Sequence, residues 1–238
     1  MKGPFKFAKN LFEQPWSGTL AATKDELEQH LLKTYSGAGR FEPLPDIEGV
    51  TFSSAPGVEF DCKPPRLAEI QQIVHKARIK SAPGPNGIPY LVYKKCPGVL
   101  KKLHGLLVNA WRQKHVSDEW NQADGVYIPK EKNSKGIDKF RPISLLNVEG
   151  KIFFSVLAAR LTKFLISNGY VDTSIQKGGV PGVHGCLEHS SMIWEAIQRA
   201  KANRLNLHVI WLDLGNAYGQ CLTAYCGKLW RCTTFPIV

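Results

Sequence analysis

An α+β fold with an incomplete sheet is the architecture that this 238-residue sequence predicts. Segments with apolar residues at helical spacing alternate with short runs rich in β-branched and aromatic residues, and no internal repeat is present. An apolar content of 43% is sufficient to build one good hydrophobic core.

The elements follow in chain order. Residues 1–63 mix Gly, Pro and Ser and are expected to form a flexible lead-in or linker, with one short polar helix at 23–32. After Pro64 and Pro65, the spacing of Leu67, Ile70, Ile73, Val74 and Ala77 gives a helix one apolar face. Two prolines and two glycines within Ser81-Ala82-Pro83-Gly84-Pro85-Asn86-Gly87 forbid a regular element and predict an ordered turn or loop. A second helix spans 99–111 with Leu100, Leu103, Leu107 and Trp111 inward, and 125–128 reads as a short strand ending at Pro129. The loop 130–141 carries five Lys or Arg against Glu131 and Asp138. A long helix at 147–167 directs Ile152, Val156, Ala159 and Phe164 inward and stops at Asn168-Gly169. A Gly-rich turn at 176–185 leads to a helix at 187–201, and 209–212 reads as a buried strand.

That last strand runs into Asp213. An unpaired carboxylate costs several kcal/mol to bury, so Asp213 belongs at the strand's end, facing a basic group or a cation. Metal-dependent phosphoryl transfer places its acids in this way. A helix-capping aspartate is the alternative for the segment taken alone.

The charge balance points to a polyanionic partner: 31 Lys and Arg against 20 Asp and Glu give a net charge of +11, with a pI of about 9.4. Six cysteines lack any tight C-x-x-C pairing, which disfavours a disulfide framework or zinc ribbon and fits reduced thiols. His184, Cys186 and His189 lack a second ligand pair at a familiar spacing and are not expected to hold a metal. No signal peptide and no run of membrane-spanning length is evident, so the chain is expected to be intracellular, in the nucleus or cytoplasm, without a membrane partner.

Four blocks, in order, resemble the reverse transcriptases of non-LTR (LINE-like) retrotransposons. They are the Pro/Gly loop from Ser81 to Pro89, Ile128-Pro129-Lys130-Glu131, Phe140-Arg141-Pro142-Ile143-Ser144-Leu145-Leu146, and the motif in which Asp213 is followed five residues later by Tyr218. Gln176-Lys177-Gly178-Gly179 is similar to the turn that precedes the last of these in the family. The resemblance covers 81–219 and implies the fingers and partial palm of a right-hand polymerase over 64–219. It implies that Lys130 and Arg141 contact the incoming deoxynucleoside triphosphate, Arg through its planar fork and Lys as a compact charge. Asp213 and the backbone carbonyl of Leu214 would hold Mg²⁺, and Tyr218 would lie beneath the sugar and exclude a 2′-hydroxyl. An RNA template and a DNA primer are the implied partners; oligomeric state is left open. Gly215 stands where close relatives are expected to carry Ala.

No acidic residue follows Asp213 in these 238 residues, so the family's later Asp-Asp pair has no counterpart, and neither has its thumb. Residues 220–238 depart from the family pattern after Gly219, and reading their codons one base back permits a continuation of that pattern. They are therefore read as an aberrant, frameshifted tail. The leading expectation is a polymerase fragment that does not polymerise unaided. The alternatives are a non-catalytic RNA- or DNA-binding module retained for its basic fingers, and a structural α+β protein.

Overall fold

A computed structural model describes residues 18–35, 55–183 and 187–212. The described residues form six helices and one two-stranded antiparallel sheet, a mixed α+β content. The helices are α1 (Lys24–Tyr35), α2 (Leu67–Lys76), α3 (Tyr90–Lys95), α4 (Pro97–Gln113), α5 (Val148–Ser167) and α6 (Leu187–Ala202). The strands, between α4 and α5, are β1 (Ala123–Pro129) and β2 (Phe140–Leu146). The chain divides into two compact units, one of residues 1–37 and 64–156, the other of 38–63 and 157–238.

Local chemistry sets the helix ends. Thr23 and Glu26 form a capping box at the start of α1: the Glu26 amide donates to Thr23 Oγ1 at 3.3 Å, and the Thr23 amide donates to Glu26 Oε2 at 2.7 Å. These bonds to the charged form hold the Glu26 carboxyl below its usual pKa. Pro97 sits in the first turn of α4, where its missing N–H costs nothing. The long helix α5 ends at Gly169 (φ +70°), whose amide donates to Ile166 O while Tyr170 donates to Leu165 O, the paired bonds of a Schellman cap.

In the first unit, Ile70 and Val74 of α2 pack with Leu100, Leu103 and Leu107 of α4 and with Val148, Ile152 and Val156 of α5. Trp120, in the 3₁₀ turn Asp118–Trp120, lies against Phe153 at 5.4 Å between ring centroids, and Trp111 meets the same ring at 5.8 Å. A Cβ at Gly150 would stand 2.9 Å from Trp120 Cβ, so the helix approaches the indole only because position 150 lacks a side chain.

The second unit holds its own small cluster. Phe164 makes edge contacts with Phe60 at 5.9 Å and Tyr170 at 5.8 Å. The buried Arg160 guanidinium donates to the carbonyls of Asp61, at 2.9 Å, and Lys63. Asn168 completes the attachment by exchanging two bonds with the Val58 backbone. One piece of the expected lead-in, 58–63, thus carries specific bonds to later parts of the chain.

The helix faces read from the sequence agree closely for α2 and α4. In α5 one position differs: Ala159 is exposed and Arg160 is buried. The buried stripe runs in steps of four through Ile152, Val156, Arg160 and Phe164, and the carbonyls at 61 and 63 supply the acceptors that let an arginine take a place on it. Two elements are additions to the sequence reading: α3, too short to show a helical period, and β2, which carries Pro142 opposite Tyr127. A sheet of two strands leaves each an outer edge, and there proline's missing N–H breaks no ladder bond.

Leu107 has no exposed surface. Leu107→Ala is expected to destabilise the protein by about 2–5 kcal/mol. In urea titration this should lower the midpoint and leave the slope unchanged.

Candidate functional site

The β1–β2 hairpin carries the two basic residues singled out from the sequence. Its register places Val126 opposite Ile143 and Ile128 opposite Arg141, and the Lys130 amide donates to Lys139 O at 2.8 Å, one step beyond the last pair. Alternation along the strands then puts Lys130 and Arg141 on the face shared by Val126, Ile128 and Ile143. That face is open: both basic residues and all three aliphatic ones are exposed, whereas Phe140 on the other face is buried. Lys130 Nζ donates to Asp138 O at 2.8 Å, and Lys139 pairs with Glu131 at 3.2 Å, so part of the loop's charge is held internally. Arg141, the cation of the third block, lies on strand rather than loop backbone, a correction to the 130–141 loop reading.

An N-terminal strap fixes the hairpin's loop. Gly18 forms a parallel bridge with Ser134, and the Ala21 amide donates to Lys135 O at 3.1 Å. Ser134 is buried, with its hydroxyl donating to Glu131 O at 2.9 Å. A Cβ at position 18 would lie 2.6 Å from Ser134 O, so this approach requires glycine.

The Pro/Gly loop at 81–89 is joined to the far end of the same hairpin. A Cβ on Gly84 would lie 2.3 Å from the Leu146 carbonyl carbon and 2.4 Å from Asn147 N, so two backbones touch there. Gly87 turns the chain at φ +70°, with its amide donating to Gly84 O at 2.9 Å. The Asn86 amide donates to Asn147 Oδ1 at 3.0 Å, and Asn86 Nδ2 donates to Glu149 Oε2 at 3.0 Å. The other Glu149 oxygen accepts from the Tyr93 hydroxyl, and Asn147 Nδ2 donates to Glu119 O at 3.0 Å. Sequence reasoning missed this network. Its available signal was Glu149, an acid set among the apolar residues that open α5. Burial first, then the bond and charge of Glu149, push the Tyr93 phenol well above its usual range; burial also raises Tyr90.

Three of the four sequence blocks, at 81–89, 128–131 and 140–146, therefore meet in one unit. The fourth block, with Asp213, Leu214 and Tyr218, lies outside the described residues, as do His184 and Cys186. Its approach differs from expectation: residues 205–212 form neither helix nor strand, and Ile210, Trp211 and Leu212 are 82%, 75% and 93% exposed. A strand needs a ladder partner, and among the described residues β1 and β2 pair only with each other. Gln176 Nε2 donates to Gly178 O at 2.8 Å, and Lys177 pairs with Glu188 at 2.9 Å, in the second unit.

No protein-family model matches the chain. Among the described residues no group of three His, Cys, Asp or Glu could hold a metal ion, and no helix is long and apolar enough to cross a membrane.

The arrangement suits anion binding: a glycine-fitted loop backs a hairpin whose open face presents Lys130 and Arg141. The buried carboxylate of Glu149 is committed to Tyr93 and Asn86 and takes a positioning part.

Tyr93 makes stability pH-dependent in a defined direction. Its folded pKa lies above the unfolded value of about 10, so its contribution is complete below that pH and is lost as pH rises further. Tyr93→Phe should cost about 1–3 kcal/mol at neutral pH by leaving a Glu149 oxygen unpaired. Thermal denaturation of this variant should also show a weaker loss of stability above pH 10 than the parent protein. Gly18→Val should displace the strap, and hydrogen exchange should then show the 131–139 amides exchanging faster while α4 keeps its protection.

Proposed function

We propose that the chain is part of the RNA-directed DNA polymerase of a non-LTR retrotransposon, comprising fingers and the start of the palm. The observation that carries this reading is the order of the four blocks together with the meeting of the first three around one hairpin. On this reading Lys130 and Arg141 grip the phosphates of the incoming deoxynucleotide, which positions the triphosphate and offsets charge that builds as pyrophosphate leaves. Arg141 makes two parallel bonds to phosphate oxygens, while Lys130 acts as a point charge. The apolar face beside them lies against base or sugar. By the same resemblance Tyr218 would select deoxyribose through its bulk beneath the sugar.

Two-metal nucleotidyl transfer needs carboxylates to hold its Mg²⁺ ions, which when bound would supply activation of the primer hydroxyl and charge stabilisation for the leaving group. In the matched blocks Asp213 is the acid available for this, with the Leu214 carbonyl beside it. One carboxylate does not assemble the pair, so the 238 residues alone bind nucleotide and nucleic acid without joining them. A non-catalytic nucleic-acid-binding module is the second reading, favoured by the exposed cations.

Primer-extension assays with template, primer, Mg²⁺ and deoxynucleotides should give no incorporation. Template-dependent incorporation abolished by Asp213→Ala would overturn the incompleteness of this chain's metal site. Binding of a fluorescent deoxynucleoside triphosphate should weaken at least tenfold in Lys130→Ala/Arg141→Ala, equivalent to about 1.4 kcal/mol. Unchanged nucleotide affinity in that variant would favour the binding-module reading.

A further inference from the structure

Between Glu69 and Asp118 the sequence contains no acidic residue, and it holds nine Lys or Arg with three His. The blocks that carry the polymerase reading use none of these cations. Some occupy last turns of helices, where a cation suits the helix dipole: Lys76 in α2, Lys94 and Lys95 in α3, Arg112 in α4. The dipole accounts for a cation at each end. It does not account for the absence of any counter-charge from residue 70 to residue 117, which covers α2 beyond Glu69 and all of α3 and α4.

Packing gathers these charges. Lys94 Nζ donates to His75 O at 2.8 Å, which joins the C-terminal end of α3 to that of α2. Lys76, Arg78, Lys80 and Lys95 lie within five residues of one or the other end of that bond, and all four are exposed. None of the nine cations forms an ion pair among the described residues. Next to them on α2 is an open depression of about 350 Å³ lined by Ala68, Gln71, Gln72, His75 and Lys76. The glutamine amides there are uncharged donors suited to phosphate or sugar oxygens.

The hairpin loop is the weaker electrostatic feature by comparison. Its five cations face two acids, and Lys130 and Lys139 already have partners inside the loop. The nine like charges between residues 70 and 117 repel one another with no acid in that span and no ion pair among the described residues, and a polyanion relieves that repulsion by displacing the counterions they would otherwise share.

We propose that the outer surface of α2, α3 and the first turns of α4 binds the phosphodiester backbone of a nucleic acid strand. An anionic membrane fits less well, because interfacial binding needs an amphipathic helix with a free apolar face. The apolar side of α2, Ile70 and Val74, is turned into the core; the exposed apolar residues nearby, Ile79, Leu91 and Val99, come one each from the turn after α2, from α3 and from α4 and form no stripe along one helix. This surface depends on no part of the polymerase reading, and its test measures binding alone, so the two can fail separately.

The test is the salt dependence of binding by the full chain to a labelled single-stranded RNA oligonucleotide of mixed sequence. With four phosphate contacts removed, Lys76→Gln/Arg78→Gln/Lys80→Gln/Lys95→Gln should lower the slope of log K against log salt by about 3, roughly 0.7 per contact. Lys130→Ala/Arg141→Ala should lower it by about half as much. Gln71→Ala/Gln72→Ala should weaken binding several-fold and leave the slope unchanged. The charge-preserving Lys76→Arg/Lys80→Arg/Lys95→Arg protein should keep the parental slope, which separates lost charge from lost fold. A parental slope in the four-glutamine variant would overturn the proposal. So would loss of binding to phosphatidylserine vesicles in that variant while RNA binding persists.

Discussion

The buried carboxylate of Glu149 is the constraint on which the first unit depends. Its two oxygens accept from Tyr93 and Asn86, which tie α3 and the Pro/Gly loop to the first turn of α5. A buried charge in this position is tolerable only because these donors replace the water it has lost. The loop then has one place to go, with Gly84 against the backbone that links β2 to α5 and Asn86 bonded to Asn147. The hairpin is held at this end by that contact and at its tip by residues 18–21. The open basic face between these anchors is therefore presented by a framework of backbone bonds and buried polar side chains. Apolar packing of the face itself contributes little, since its aliphatic residues are exposed.

How much of this was legible from the sequence depends on the range of the interactions involved. The apolar faces of α2 and α4 repeat at helical spacing, and the structure buries Ile70, Val74, Leu100, Leu103 and Leu107 as that spacing requires. The Pro/Gly segment announced a turn, and β1 announced itself by its β-branched run. Shorter or non-local features left no such trace. The helix α3 has six residues, fewer than two turns. In β2 the proline argued against a strand until the edge position of that strand was known. Arg160 reads as a solvated helix residue, and its burial follows from carbonyls at 61 and 63 that local spacing cannot reveal.

The candidate site divides in the same manner. Lys130 and Arg141 were legible as cations in a basic segment, and the hairpin register explains why they share one face. The polar network behind them was not legible, because it joins residues 86, 93, 147 and 149 across sequence separations of more than fifty. At 209–212 the reverse error occurs. An apolar run has the composition of a buried strand, but burial is supplied by neighbours, and residues 210–212 have little of it. Composition states what a segment would do next to a partner; it does not provide the partner.

The strap between Gly18 and Ser134 also bears on how the molecule is made. During synthesis at about 10 residues per second, residue 134 emerges on the order of ten seconds after residue 18. Through that interval the N-terminal segment must wait unpaired while α2, α3 and α4 form from nearby contacts. Closing so long a loop adds entropy cost only logarithmically with its length, so the delay is a matter of timing more than of energy. The tip of the hairpin thus acquires its final support from residues made well before it, and an insertion just ahead of residue 18 would act on that tip despite its distance in sequence.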